Sequence, residues 1–420
     1  MIKIMALLFL PIGIALATTS NLLPQIISAS GQRVMAQSSP KPKSKPSAPV
    51  PSSATPSPTS SPVPTPCCTE PVNSEQVGLD DQLLAANGDR KAMLESIDNS
   101  LRYLSTPLAT KAYSSYQVPG INQDRVKRSL VRFRQLVVKS KSASQLRDAV
   151  KKEFVFYQAI GKDNKGAVQF TGYYEPIYQA SRVPTSEYKY PLYKQPANFD
   201  TWPKPHPSRL QLEGIDGLQA ARGPLAGSEI LYMKDRFEVI LVQIQGSAKF
   251  FLPDGKSTTV GYNGGTDYPY DSIGKMLAKD QKLTASQLSL QGIIRYFKEN
   301  PQEMDVYLPR YNRFAFMKET FNSKPMGSLN VAVTPERSIA TDKSLMPPGA
   351  LALVHTSLPV YNGQKIQQRL VSRYVLDQDT GSAIKGAGRV DYFMGIGKNA
   401  GERAGVTGGN GQLYYLLLKK

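Results

Sequence analysis

The chain has 420 residues, 40% of them hydrophobic and 20% charged, which is room for two or three domains with proper cores. Lys and Arg number 51 against 33 Asp and Glu, and the net charge of +18 points to anionic partners: nucleic acid, a membrane surface or an acidic polymer. With only two histidines and two cysteines, a zinc site or a Ser-His-Asp triad lacks its raw material, and acid/base chemistry falls to carboxylates.

Lys3 precedes an apolar run from Met5 to Ala17 that is too short for a comfortable membrane span and suits an export signal. Small residues at Ala15 and Ala17, and again at Val34-Met35-Ala36, offer cleavage sites; the later one makes 1–36 the signal peptide. Kept uncut, the same run would associate the protein with a membrane. No other run is long and apolar enough to span a bilayer, and export disfavours nucleic acid as the partner. Ten prolines between Pro40 and Pro66, among Ser, Thr, Lys and Ala, make 37–72 an extended linker. Cys67 and Cys68 end it. A bond between neighbouring cysteines would be strained, so the pair reads as incidental, or as intermolecular at most.

Leu94, Ile97, Leu101 and Leu104 recur at helical spacing, as do Val126, Leu130, Phe133 and Val137. A third helical pattern runs from Ala143 to Tyr157. Beyond it the texture changes to short alternating segments that predict strands over Ala167–Tyr173, Glu238–Gln245, Leu329–Thr334, Ala350–His355, Arg369–Leu376 and Leu413–Leu418. Two helical interludes fall near Ser272–Lys279 and Ala285–Glu299. The expected fold is mainly β with N-terminal helices, an α+β arrangement.

Three regions hold residues suited to chemistry. In FTGYYEP, a strand leads Thr171 and Gly172 into Tyr173 and Tyr174. Glycine lets a ligand approach the backbone, and tyrosine offers sugar rings a flat face with a polar tip; the same residues also suit a packed strand end. In VQIQGSA, Gln245, Gly246 and Ser247 form a turn that could face a groove. Tyr262 and Asn263 follow in a tyrosine-rich loop, equally explained by Asx turns. Near the C-terminus, Asp342, Asp379 and Asp391 stand in separate glycine-rich contexts. Asp391, between Val390 and Tyr392 at a strand edge, could be desolvated enough to hold a proton at neutral pH, or could simply pair with Arg389. Asp379-Thr380-Gly381 matches the tripeptide of aspartic proteases, but no second such tripeptide supplies the partner aspartate.

GYYEP, VQIQGSA, YDSIGKML, ATDKSLMPPG, DTGSAIKG, VDYFMGIG and AGERAG, in this order over about residues 80–419, closely resemble the membrane-bound lytic murein transglycosylase A family. The resemblance implies a six-stranded double-psi β-barrel with a second, small β domain inserted and a groove between them. It divides the chain into a catalytic barrel with a helical cap (73–182 plus 325–420) and an insert (183–324). It implies cleavage of the β-1,4 bond between N-acetylmuramic acid and N-acetylglucosamine in peptidoglycan, giving a 1,6-anhydro product. Asp391 falls on the catalytic aspartate and Asp379 on a neighbour that orders the site. Thr171, Gly172, Tyr173, Tyr174, Gln245, Gly246, Ser247, Tyr262, Asn263 and Asp342 become substrate-binding candidates, Asp342 with a structural leaning. No cofactor or metal is called for, and a monomer at the cell envelope suffices. The chain departs from the pattern in a stretch before Asp391 that is one residue longer and in lacking the expected N-terminal lipid-bearing cysteine. Alternatives from other classes are a non-catalytic glycan-binding module on the same barrel and an aspartic protease working through Asp379.

Overall fold

A computed structural model describes Cys68 and residues 78–116 and 118–420. The export signal and nearly all of the proline linker lie outside these residues. Cys68 is disulfide-bonded, which corrects the reading of the cysteines as incidental; Cys67 lies outside the described residues.

The chain opens with helices α1 (Arg90–Tyr103), α2 (Pro107–Ser114), α3 (Gln123–Lys139) and α4 (Ala143–Glu153). Thr106, Asn122 and Ser142 accept hydrogen bonds from the first-turn amides of the last three, which satisfies donors the helix itself cannot. Strands β1 (Phe154–Gln158) and β2 (Val168–Glu175) follow. The next stretch holds β3 (Ile177–Gln179), β4 (Tyr190–Tyr193), α5 (Arg209–Glu213), β5 (Glu229–Met233), α6 (Arg236–Gln245), β6 (Ser247–Phe251), β7 (Ser257–Gly265), α7 (Ile273–Lys279), α8 (Leu290–Glu299), α9 (Met304–Tyr307) and β8 (Ala315–Glu319). The chain ends with β9 (Ser338–Ala340), β10 (Leu351–Asn362), β11 (Lys365–Asp379), β12 (Arg389–Ile396), α10 (Lys398–Val406) and β13 (Gly408–Leu418).

Six strands close on themselves in the order β13, β10, β11, β9, β12, β2 and back to β13, so the architecture is a mixed one built around a six-stranded barrel. β11 runs parallel to β9 and β12 parallel to β2; the other pairings in the ring are antiparallel. β13 completes the ring by pairing its first residues with β2 (Gly408 opposite Thr171) and its later ones with β10. β1 adds an outer strand on β13. Closure leaves no free edge in the ring, and Phe170, Ile339, Leu353, Leu376, Tyr392 and Tyr415 along its strands are fully buried. Between β2 and β9 the chain builds a separate four-stranded sheet, β3-β6-β7-β8, and the pair β4-β5.

The N-terminal helices are fastened to the barrel through charge. Arg337, just before β9, has no exposed surface; it pairs with Asp80 and Asp89, both at 2.5 Å. Arg373 on β11 reaches Asp80 at 3.6 Å and Asp81 at 2.6 Å. Burial alone would raise the Asp80 carboxyl, but the Arg337 and Arg373 charges override it and hold it below the usual carboxylate range. Phe133 on α3 adds apolar contact, its ring 5.0 Å from that of Tyr374.

Three expected elements differ. Glu238–Gln245 is part of helix α6, not a strand: Asp235 accepts from the amides of Phe237 and Glu238 to start it, and Gly246 in the left-handed region (φ 82°) ends it. Its apolar run reads as a strand because almost every side of the helix is buried. The helix expected over Ala143–Tyr157 stops at Glu153, because Phe154–Gln158 is claimed by β13 as strand β1. Leu329–Thr334 forms no strand. Leu329, Val331 and Val333 are buried, so the alternation is real, but the only pairing there is a single bridge between Met326 and Ala332. Helix α2 escapes the periodicity altogether; its signal is the Thr106-Pro107 cap.

Asp80→Asn should cost about 3–5 kcal/mol of folding stability, because it leaves two buried guanidinium groups short of counter-charge. The measurement is urea denaturation. The lowered Asp80 carboxyl also gives a direction: its contribution is present above the unfolded carboxylate range and is lost as pH falls through the depressed folded value.

Candidate active site

Strand β12 sits between β2 and β9, and this seat gathers residues far apart in sequence. Asp391 is opposite Thr171 on β2 and opposite Ala340 on β9. Because parallel β2 and β12 keep one register here, Arg389, Asp391 and Phe393 share a face with Gln169, Thr171 and Tyr173. Val390 and Tyr392 point the other way and are fully buried. The alternation of the strand therefore seats Asp391 over the core while leaving it only half-buried.

Thr171 Oγ1 donates to Asp391 Oδ1 at 2.8 Å. Burial pushes the Asp391 carboxyl up to about 6, and the nearby Asp379 charge adds to it; the Thr171 hydroxyl, the Arg389 charge and the Tyr392 amide pull the other way. Asp379, at the end of β11, is also raised by burial. It has more donors: Ser328 N at 2.9 Å and Thr380 N at 2.8 Å to Oδ1, and the Tyr173 hydroxyl at 2.9 Å to Oδ2. The Tyr173 ring stands 5.1 Å from that of Phe393, so one residue braces both β12 and Asp379. Beneath them Asp377, fully buried, accepts from the hydroxyls of Thr341 and Tyr415 at 2.7 Å each and pairs with Lys343. Thr341 in turn donates its amide to the Asp379 carbonyl at 3.1 Å and accepts from Thr380 Oγ1 at 2.7 Å. Asp379 is thus clamped by its own backbone as well as its carboxylate.

The other predicted residues take different places. Gly172 does not open the strand to a ligand: a side chain there would meet Cα of Ala404 and Oγ1 of Thr407 at 2.9 Å, so glycine is what lets α10 lie against β2. Tyr174 faces the same way and packs against Gly401 of α10. Gln245 Oε1 accepts from the Tyr174 amide at 3.1 Å, and the Ser247 hydroxyl donates to Glu175, so this pair ties the end of β2 to α6 and β6. Gly246 supplies the left-handed cap, and its carbonyl accepts from the Tyr262 amide at 2.7 Å. Tyr262 and Asn263 lie on β7, the tyrosine exposed with its hydroxyl 3.3 Å from Arg313. Asp342 is buried and spends both oxygens on loops: Gly386 N at 2.8 Å and Ser344 Oγ at 2.7 Å. These bonds outweigh burial and hold it below the usual carboxylate range. Thr171, Tyr173, Asp379 and Asp391 are therefore the predicted residues brought together.

Two further residues were not among the predicted site residues, although Tyr270 belongs to the tyrosine-rich region read from sequence. Tyr270, in the segment after β7, lies within the fields of both Asp391 and Arg389. Glu175 is buried, its Oε1 without a hydrogen-bond partner, and burial pushes it up to about 7 against the Ser247 hydrogen bond and the Lys249 charge. Glu175 stands in GYYEP itself, yet a glutamate before a proline says nothing about burial.

Comparison with known proteins finds matches within one family. Residues 169–318 match the MltA specific insert domain and residues 337–417 the 3D domain. The chain is 32% identical over 264 residues to the membrane-bound lytic murein transglycosylase A of Escherichia coli K12, covering 62% of this chain and 68% of that protein. A homologue from Buchnera aphidicola is 30% identical over 280 residues, 66% of this chain and 74% of its own length. In fold, the crystal structure of E. coli MltA with bound chitohexaose superposes with a TM-score of 0.66 at 24% identity, over 85% of this chain and 95% of that one. A membrane-bound lytic murein transglycosylase from Agrobacterium tumefaciens gives 0.65 at 24% identity, over 83% and 97%.

Thr171→Val should raise the Asp391 carboxyl above about 6, since the hydroxyl favours the charged form and valine cannot donate. Carboxyl titration followed by NMR, with Asp391→Asn to assign the resonance, reads this directly.

Proposed function

Because the chain belongs to the membrane-bound lytic murein transglycosylase A family, we propose that Asp391 alone serves as acid and then as base in cleaving peptidoglycan. The activity is that of a lytic transglycosylase. Its bond is the β-1,4 link from N-acetylmuramic acid to N-acetylglucosamine, and its product a 1,6-anhydro muramyl end. The observation that carries the reading is the Asp391 carboxyl, pushed up to about 6 on a half-buried strand face and held by Thr171.

Hydrolytic glycosidases divide acid and base or nucleophile between two carboxylates. Here the attacking group is the substrate's own C6 hydroxyl, so no water needs activating. Asp391 gives its proton to the leaving glycosidic oxygen as the C1–O bond breaks. As a carboxylate it then takes the C6 hydroxyl proton while that oxygen closes on C1, and it ends protonated for the next cycle. Asp379, fed by two backbone amides and the Tyr173 hydroxyl, has the better-supported charged form of the two. Its charge helps keep the proton on Asp391 and stabilises positive charge building on the sugar ring. Thr171 and Tyr173 orient the two carboxylates, and Tyr270 supplies a facing wall for a sugar ring.

The division of labour proposed for the chain is a barrel with its helical cap, 73–182 plus 325–420, and an insert, 183–324, with the glycan strand in a groove between. The bound chitohexaose in the E. coli protein supports a glycan partner of this type. The relatives' description as membrane-bound supports a location at the cell envelope; the N-terminal signal and a monomeric state are part of the same proposal. No helix among the described residues is long and apolar enough to cross a membrane. The net charge of +18 suits a polymer that carries carboxylates.

Digestion of purified peptidoglycan followed by mass spectrometry should give anhydromuropeptides, each lighter by one water than the corresponding hydrolysis product; reducing ends alone would mark a hydrolase instead. Asp391→Asn should abolish release while glycan binding persists. The acid form is the one that starts the reaction, so turnover should fall as pH rises through about 6.

A further inference from the structure

Arginines inside this protein are heavily used. Arg337 is spent on Asp80 and Asp89, Arg403 on Glu336 and the Pro359 carbonyl, and Arg125 on the Leu418 and Gly120 carbonyls and the Tyr157 hydroxyl. Arg389 is different. Its Nε is buried and donates to nothing, as in Arg236 and Arg373, but those two spend their other nitrogens on carboxylates, whereas no ion pair among the described residues includes Arg389. It stands two residues before Asp391 on the same face of β12, and Tyr270 is within its field. Leaving a buried N–H unmade is costly, and a planar guanidinium is suited to bidentate carboxylate recognition.

Resting on the glycan reading above, the geometry points to Arg389 as a specificity residue that takes a carboxylate of the muramyl half of the substrate beside the bond to be cut. The carboxylate has two sources: the lactyl group itself, free in peptide-stripped strands, or the stem peptide where the lactyl group is an amide. Recognition and chemistry are then coupled. The Arg389 charge opposes protonation of Asp391, and a carboxylate docked on Arg389 cancels that opposition, so the correct substrate helps place the proton it needs.

The test measures binding in the Asp391→Asn protein, where nothing turns over, to three probes: a peptide-stripped murein tetrasaccharide, the same tetrasaccharide bearing stem peptides, and chitohexaose, which has no carboxylate. Adding Arg389→Gln should weaken a carboxylate-bearing probe about tenfold to a hundredfold, with chitohexaose unchanged to within about twofold. Loss on the stripped probe assigns the lactyl carboxylate; loss confined to the peptide-bearing probe assigns the stem peptide. Arg389→Lys, which keeps the charge, should recover part of the affinity on the same probe. Equal weakening of all three probes, or no change with any, overturns the proposal and leaves the glycan reading standing. If the Asp391→Asn protein binds none of the three, that reading falls and the proposal with it.

Discussion

One strand's seat decides the cleft. β12 is held on one side by β2 in parallel register and on the other by β9 running against it, so Asp391 has Thr171 on one flank and Ala340 on the other. Ring closure fixes both flanks, because β2 is itself locked from behind by β13. No side chain at the site is positioned by a long loop alone. Thr171 and Tyr173 come from one strand, Arg389 and Asp391 from its neighbour, and Asp379 from the last residue of a third. Rigid placement of this kind is what a proton transfer within hydrogen-bond reach demands.

The two raised carboxylates are separated by what surrounds them rather than by their own chemistry. Asp379 receives two amides and a phenol, and Thr341 holds its backbone; Asp391 receives one side-chain hydroxyl and the Tyr392 amide. The richer set of donors stabilises charge on Asp379, while the poorer set leaves Asp391 to the effect of burial. A reaction whose nucleophile comes with the substrate needs only one of them to move a proton. That economy agrees with a sequence nearly without histidine: His355 is occupied with Ser372, and His206 stacks on Phe199 in a separate aromatic cluster.

Much of the site was legible in sequence, because its residues lie in short contiguous motifs. Asp391 and Asp379 stand out through motif order, and Thr171 and Tyr173 through their place in FTGYYEP. What could not be read was direction. Gly172 and Tyr174 sit in the same motif but face α10, and nothing local distinguishes a glycine kept for a ligand from one kept for a helix. Helix α6 was read as a strand because burial on nearly every side erases its period, leaving only Asp235 and Gly246 to mark it. Glu175 and Tyr270 depend on tertiary placement, burial in one case and the course of the segment after β7 in the other, and spacing assigns a role to neither.

The cluster of Arg337, Arg373, Asp80 and Asp89 bears on where this chain could be cut. The matches to the insert and 3D domains begin at residues 169 and 337, which invites treating everything earlier as a detachable accessory. The charges say otherwise. Two arginines belonging to the barrel find their counter-ions in the segment leading into α1, so removing that segment would strand cations in an apolar interior. The borders of the two matched domains and physical self-sufficiency differ on this molecule, and the second includes residue 80.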